Sequence, residues 1–245
     1  MSYMIAIDGV PGVGKSTAIK KIQNQITQNQ EINELNLANM AFLTWNARLQ
    51  KSGSIVEKER VLRDISDTLK RRREIDQEIK NLQASQSPPD LIIIDQSALN
   101  MTAVVLVGMT VDPEKTKSNL STSALFSAQS LEIVKDLPNY LSRMPIDHVI
   151  EMQAPPEIRQ ERLKQRGDHL LTASASESFD KAYQNFYNYW NHDRPRTIIH
   201  TGSRSEDEVA DSLRRTIKSV YSQLVKKNRL SAIERQILKR QTLAI

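Results

Sequence analysis

The sequence predicts a three-layer α/β sandwich built on a parallel sheet of about five strands. Three observations carry this prediction. Short apolar runs, "MIAIDGV", "NMAFLTW", "DLIIIDQS", "HVIEM" and "RTIIHT", recur along the 245 residues. Segments with apolar residues at three- and four-residue spacing separate them, which is the helical period. The third run is continuously apolar, as strands buried on both faces of a parallel sheet are. Strands separated by helices throughout imply parallel pairing with right-handed crossovers.

The first run ends in a Gly-rich loop, and "KSTAIKKIQNQI" comes next with Ile19, Ile22 and Ile26 at helical spacing. A second strand is expected at 39–45. A long helix over 57–83 carries a stripe of Leu62, Ile65, Leu69, Ile75, Ile79 and Leu82, with Arg71, Arg72 and Arg73 mostly on the solvent side. Pro88 and Pro89 stop it before the third strand. Helices at 97–107 and 123–142 come next, the latter entered at Ser121–Ser123 and ended by Pro145. After the fourth strand at 148–152, "PPEIRQERLKQRG" reads as a helix opened by prolines and closed by Gly167. A polar, lid-like stretch, a helix at 177–191, the fifth strand and a long C-terminal helix complete the order. Ligands on such sheets bind beyond the carboxyl ends of the strands, where Gly9, Asp95 and Gln153 are expected to cluster.

"GVPGVGKST" satisfies G-x-x-x-x-G-K-[ST] with Gly9, Gly14, Lys15 and Ser16, in the strand-to-helix setting the motif requires. Glycines let backbone N–H groups curl around a β-phosphate, and the helix N-terminus adds unpaired donors and partial positive charge. Gly9, Gly12, Val13, Gly14, Lys15, Ser16 and Thr17 are therefore candidate nucleotide-binding residues. Lys15 supplies a mobile cation for the β- and γ-phosphates, and Ser16 an oxygen ligand for Mg²⁺. Asp95, at the end of the third strand, is the natural second partner for Mg²⁺ or a base for a substrate hydroxyl; an aspartate there can also cap the next helix. The fold expected is that of P-loop nucleoside triphosphate hydrolases and kinases.

A chain of this length buries roughly 70–75% of the surface its unfolded form exposes, so one sizeable core suffices. A kinase-like domain over 1–225, with a lid around 155–176, and a basic C-terminal extension over 226–245 are expected. That extension holds Lys226, Lys227, Arg229, Arg235, Lys239 and Arg240 against Glu234, which accounts for the whole net charge of +5. A solvated helix face is the favoured reading of it, ahead of contact with nucleic acid or an anionic membrane. No apolar run approaches the ~20 residues of a membrane span. No secretory signal is visible and there is no cysteine, so a cytoplasmic location is expected. His148, His169, His192 and His200 form no metal-ligand spacing.

With these residues placed, the sequence resembles the thymidylate kinase and deoxynucleoside kinase group of P-loop kinases over most of 3–220. "IEMQAPPEIRQERLKQRGD" is similar to the group's fourth strand, Pro-Pro-Glu turn and lid helix. "ESFDKAYQNFYNYW" comes next, and "TIIHTGSRSEDEV" is similar to the group's last strand and adenine-side loop. The resemblance implies that Arg162 and Arg166 close over the transferred phosphoryl group and the adenine, with Arg159 a further candidate for the same role. Their spacing of three and four residues puts them on one helix face, and guanidinium groups neutralise phosphoryl oxygens bidentately. Three departures concern the acceptor side. Where the group has an Asp-Arg or Glu-Arg pair after the third strand, this chain reads Asp95-Gln96-Ser97, and after the second strand it reads "TWNARLQ", with Arg48 the one charged candidate. The group stacks the acceptor base on an aromatic of the third helix, yet 57–83 contains none; Trp45 is the substitute candidate, although a lone Trp after a strand commonly packs.

The function expected is ATP- and Mg²⁺-dependent phosphoryl transfer to a nucleoside or nucleoside monophosphate. Lys15, Asp95, Arg162 and Arg166 are the catalytic candidates, Ser16 and Asp95 the metal ligands, and Arg48, Gln96 and Trp45 the acceptor-binding residues. The partner expected is a small-molecule acceptor, with a homodimer left open and no membrane. Two alternatives stand beside this reading: a nucleotide-binding relative without kinase activity, serving as a binding or assembly module, and a small-metabolite kinase.

Overall fold

The structure, a computed structural model, describes residues 2–28, 40–44, 73–97, 99–100, 102–104, 135, 146–167, 176–191 and 193–242. Strands β1 (Tyr3–Asp8), β2 (Met40–Thr44), β3 (Leu91–Asp95), β4 (His148–Gln153) and β5 (Arg196–His200) form one sheet in the order β2-β3-β1-β4-β5. All four neighbouring pairs are parallel. The chain thus starts in the middle of the sheet, with β3 on one side of β1 and β4 on the other. That reversal of direction is the topological switch point at which such sheets open a crevice.

The helices are α1 (Lys15–Gln28), α2 over 73–83, α3 (Pro156–Gln165), α4 (Glu177–Asn191) and α5 (Glu206–Thr242), and residues 99–100 and 102–104 are also helical. The continuous apolar run of β3 is explained by what covers it. Ile92 and Ile94 pack with Ile75 and Ile79 of α2, whereas Leu91 and Ile93 join the larger core with Ile19 and Ile22 of α1 and Leu213 and Ile217 of α5. Successive strand residues point to opposite faces, so both faces are covered by helices and three layers result.

Local signals set the helix ends. Ser205 and Glu208 open α5 as a capping box, with Glu208 N–H donating to Ser205 Oγ at 3.3 Å and Ser205 N–H to Glu208 Oε2 at 2.8 Å. Pro156 stands at the first turn of α3. That helix closes on Gly167, whose left-handed φ of 72° lets its N–H turn back to the Lys164 carbonyl at 2.9 Å. Helix α5 runs without a break across residue 226, so the basic segment begins in mid-helix. The N-terminal part of the 57–83 helix, and all of the 123–142 helix but residue 135, lie outside the described residues, as do Trp45 and Arg48. No described helix is long and apolar enough to cross a membrane.

Candidate nucleotide-phosphate site

The loop after β1 sits at the switch point. Register pairs Ile7 with Asp95 and Asp8 with Glu151, so Gly9, Asp95 and Gln153 are brought to one end of the sheet, as the sequence predicts. The loop's shape depends on its glycines. Gly9, Gly12 and Gly14 have φ of 140°, 85° and 95°. A Cβ on Gly9 would stand 2.3 Å from the Met152 carbonyl oxygen, and one on Gly12 would stand 3.0 Å from Arg159 Cβ. Larger residues would have to displace backbone at both places.

Lys15 is buried and donates from Nζ to the carbonyls of Gly9 at 2.6 Å and Val10 at 3.2 Å. Ser16, one residue on, donates from Oγ to Asp95 Oδ2 at 3.1 Å. Asp95 is buried, and its Oδ1 has no hydrogen-bond partner among the described residues. The cap of the following helical segment is Ser97, whose Oγ accepts from Asn100 N–H at 3.0 Å; this leaves Asp95 facing Ser16. Between them Gln96 adopts φ of 66°, an uncommon conformation for a residue with a Cβ and one that recurs at functional sites.

Arg159 and Arg162 of α3 reach the same loop, and Arg166 at its C-cap reaches the first turn of α1. Arg159, fully buried, donates to Asp180 Oδ1 at 2.6 Å and to the Pro11 carbonyl at 3.5 Å. Arg162 donates to the carbonyls of Gly12 and Val13, both at 3.4 Å, to Thr201 Oγ1 at 3.3 Å and to the Gly202 carbonyl at 2.9 Å. Arg166 donates to Thr17 Oγ1 at 2.9 Å. Thr201 Oγ1 in turn donates to the Val13 carbonyl at 3.0 Å. The carbonyls of residues 11–13 are thus met by donors from α3 and the loop after β5.

Sequence reasoning passed over a second set of groups around the loop. Asp8 is fully buried and accepts from Ser97 N–H, Ser97 Oγ and Tyr187 Oη, each at 2.6 Å. Asn100 Oδ1 accepts from Gly9 N–H at 2.9 Å and from Tyr183 Oη at 2.5 Å. A signal for Asp8 exists in the sequence, a lone carboxylate closing an otherwise apolar strand; Tyr183 and Tyr187 carry no local mark that separates them from core aromatics.

Burial pushes the Lys15 ammonium down to about 8, and Arg166 and Arg159 add smaller contributions in the same direction, against the opposing pull of Asp95 and Asp8. Burial likewise raises the carboxyls of Asp95 and Asp8, offset in part by Lys15 and their hydrogen bonds. The sign for Lys15 comes from proton counting. Between about pH 8 and its ordinary 10.5 the unfolded chain holds a proton that the folded one has released, so this residue makes stability rise with pH across that window. Binding of a polyphosphate favours the charged form and takes the proton back. Without Mg²⁺, nucleotide affinity is therefore expected to hold below pH 8 and to fall by up to about tenfold per unit above it. Titration calorimetry in two buffers of different ionisation enthalpy checks this; proton uptake near zero at pH 9 would contradict it.

Residues 5–88 match the family described as the viral superfamily 1 RNA helicase core domain. No curated protein matches the chain. Among solved structures, deoxyadenosine kinase from M. mycoides with dCMP and a flexible dCDP bound is similar with a TM-score of 0.55 at 16% identity, over 88% of this chain and 99% of that one. The same kinase with dCTP gives 0.54 at 16% identity, over 88% and 99% of the two chains. Thymidylate kinase from Candida albicans gives 0.53 at 17% identity, over 89% and 92%. At these identities the likeness establishes a fold shared with these kinases, over 92–99% of their lengths. The helicase match ends before β3; it begins within β1 and covers the Gly-rich loop, α1, β2 and α2.

Proposed function

We propose that the chain transfers the γ-phosphoryl group of ATP, with Mg²⁺, to a nucleoside or nucleoside monophosphate. One observation carries the reading: the segment of residues 9–17 whose Ser16 meets Asp95 also receives Arg159 and Arg162 from α3 and Arg166 from its C-cap. Phosphoryl transfer is catalysed mainly by positioning and by neutralising charge on the transferring oxygens, and cations from a lid beside a phosphate cradle suit that task. The kinases that share the fold support the same reading.

Asp95 Oδ1, buried without a partner among the described residues, and Ser16 Oγ beside its other oxygen are hard oxygen donors of the kind Mg²⁺ prefers. When bound there, the ion would neutralise charge on the β- and γ-phosphate oxygens. The chain's own groups do the rest. Backbone N–H groups of residues 9–16 hold the β-phosphate, and Lys15 exchanges its carbonyl partners for phosphate oxygens. Arg166, exposed and at the end of α3, turns from Thr17 toward the transferring group. Asp95 orients the metal or accepts the acceptor's hydroxyl proton. Gln96 faces the acceptor where the resembled group has an arginine, and Trp45 and Arg48 would complete that side. Arg166→Ala should lower turnover by about 10²-fold while changing ATP affinity far less, because a cation placed over the transfer acts on charge that develops only in the transition state. Equal losses in both would mark Arg166 as a simple binding residue.

The helicase-family match over 5–88 favours a second reading, a nucleoside triphosphatase driven by nucleic acid, with the basic end of α5 as a contact. Incubation with γ-labelled ATP, a panel of nucleosides, nucleotides and small metabolites, and separately RNA and DNA, tests both. Label on a nucleoside or nucleotide supports the proposal. Label released as phosphate only when nucleic acid is present supports the second reading, and label on a small metabolite would shift the substrate class. Binding without turnover in any arm would leave a nucleotide-dependent assembly module.

A further inference from the structure

Asp180, Tyr183 and Tyr187 recur on α4 at spacings of three and four, so they share one face. Asp180 and Tyr183 each reach the loop of residues 9–17 through a single polar intermediary, and Tyr187 reaches the turn at Ser97 through Asp8. Asp180 holds Arg159 at 2.6 Å, and Arg159 donates to the Pro11 carbonyl and lies against Gly12. Tyr183 donates to Asn100 Oδ1, the atom that receives Gly9 N–H. Tyr187 donates to Asp8 Oδ2, and Asp8 receives Ser97 from both its N–H and its Oγ. The two phenol rings stack at 5.3 Å between centroids with 16° between planes, and both are fully buried.

Packing alone does not account for this pattern, because phenylalanine would fill the same space without two buried hydroxyls that need acceptors. Asn100 shows this most clearly. Its Nδ2 is buried with no hydrogen-bond partner among the described residues, so the side chain is oriented through Oδ1 by Tyr183 and Gly9 together. Networks of this kind rigidify what they touch when the members polarise one another. We propose that α4 is the strut of the phosphate loop: Asp180, Tyr183 and Tyr187 are positioning residues that act through Arg159, Asn100 and Asp8 to hold Pro11, Gly9 and the turn at Ser97. The inference rests on the phosphate-loop reading and adds to it a helix that makes no contact with phosphate itself.

The test uses the full chain with Tyr183→Phe, Tyr187→Phe and Asp180→Asn, measuring amide hydrogen exchange, ATP affinity and Tm. Tyr183→Phe keeps the ring stack and removes one hydrogen bond of the kind worth about tenfold in an equilibrium. It should raise exchange at the Gly9 amide about tenfold and weaken ATP binding by a similar factor, with exchange in residues 91–95 unchanged. Tyr187→Phe should loosen Ser97, and Asp180→Asn should loosen residues 11–13. A purely structural role predicts the opposite pattern, a lower Tm with exchange rising across the sheet and none selective to the loop; that result, or an unchanged Gly9 amide, overturns the proposal. If Tyr187→Phe fails to fold because Asp8 loses a donor, Tyr183→Phe still decides. If the wild-type chain binds no ATP, the proposed function fails while the exchange comparison still decides whether α4 holds the loop.

Discussion

Asp95→Asn is expected to lower phosphoryl transfer by about 10²-fold or more while leaving ATP affinity and fold nearly unchanged. The side chain keeps its shape, and an amide oxygen can still accept from Ser16 Oγ, which lies 3.1 Å from Oδ2 in the native site. What is lost is the negative charge that would stand beside the proposed metal and acceptor hydroxyl. The same substitution removes a buried carboxylate that burial already disfavours, so Tm should hold or rise slightly. Initial rates with the acceptor found by screening, set beside a calorimetric titration of ATP, check both halves. A variant as active as the native chain would remove Asp95 from the mechanism.

Lys15→Ala is expected to have the largest effect on binding. Charge-assisted contacts to buried phosphate oxygens are worth about 1.5–3 kcal/mol, which corresponds to roughly 10- to 150-fold in affinity. In the free protein Lys15 is itself buried at a cost, which holds its ammonium down to about 8. The variant should therefore be no less stable than the native chain at neutral pH, even as it loses the nucleotide. Loss of stability without loss of affinity would show that Lys15 supports the fold through Gly9 and Val10 instead.

The sequence signals that succeeded were local ones. Apolar runs marked all five strands to within one or two residues at each end, and the glycines, Lys15 and Ser16 marked the loop, because each of these features is a matter of neighbours in the chain. The prolines and Gly167 bounded α3 in the same way. Residues 159, 162 and 166 were legible as one face, but not their partners: Arg159 meets Asp180 across 21 residues, and Arg162 meets Gly12 across 150. The polar shell under the loop was illegible for the same reason. Tyr187 and Asp8 are 179 residues apart, and nothing local distinguishes a tyrosine that orients a carboxylate from one that fills a core. The acceptor candidates Trp45 and Arg48 stand on the sequence alone.

The claim on which the rest depends is that residues 9–17 hold the phosphates of a nucleoside triphosphate. Titration of the full chain with ATP, with and without Mg²⁺, measures it directly. Saturable binding at one site, strengthened by Mg²⁺ and weakened at least tenfold in Lys15→Ala, is the predicted result. Failure of ATP and GTP alike to bind the folded native chain, or binding that Lys15→Ala leaves intact, would contradict it.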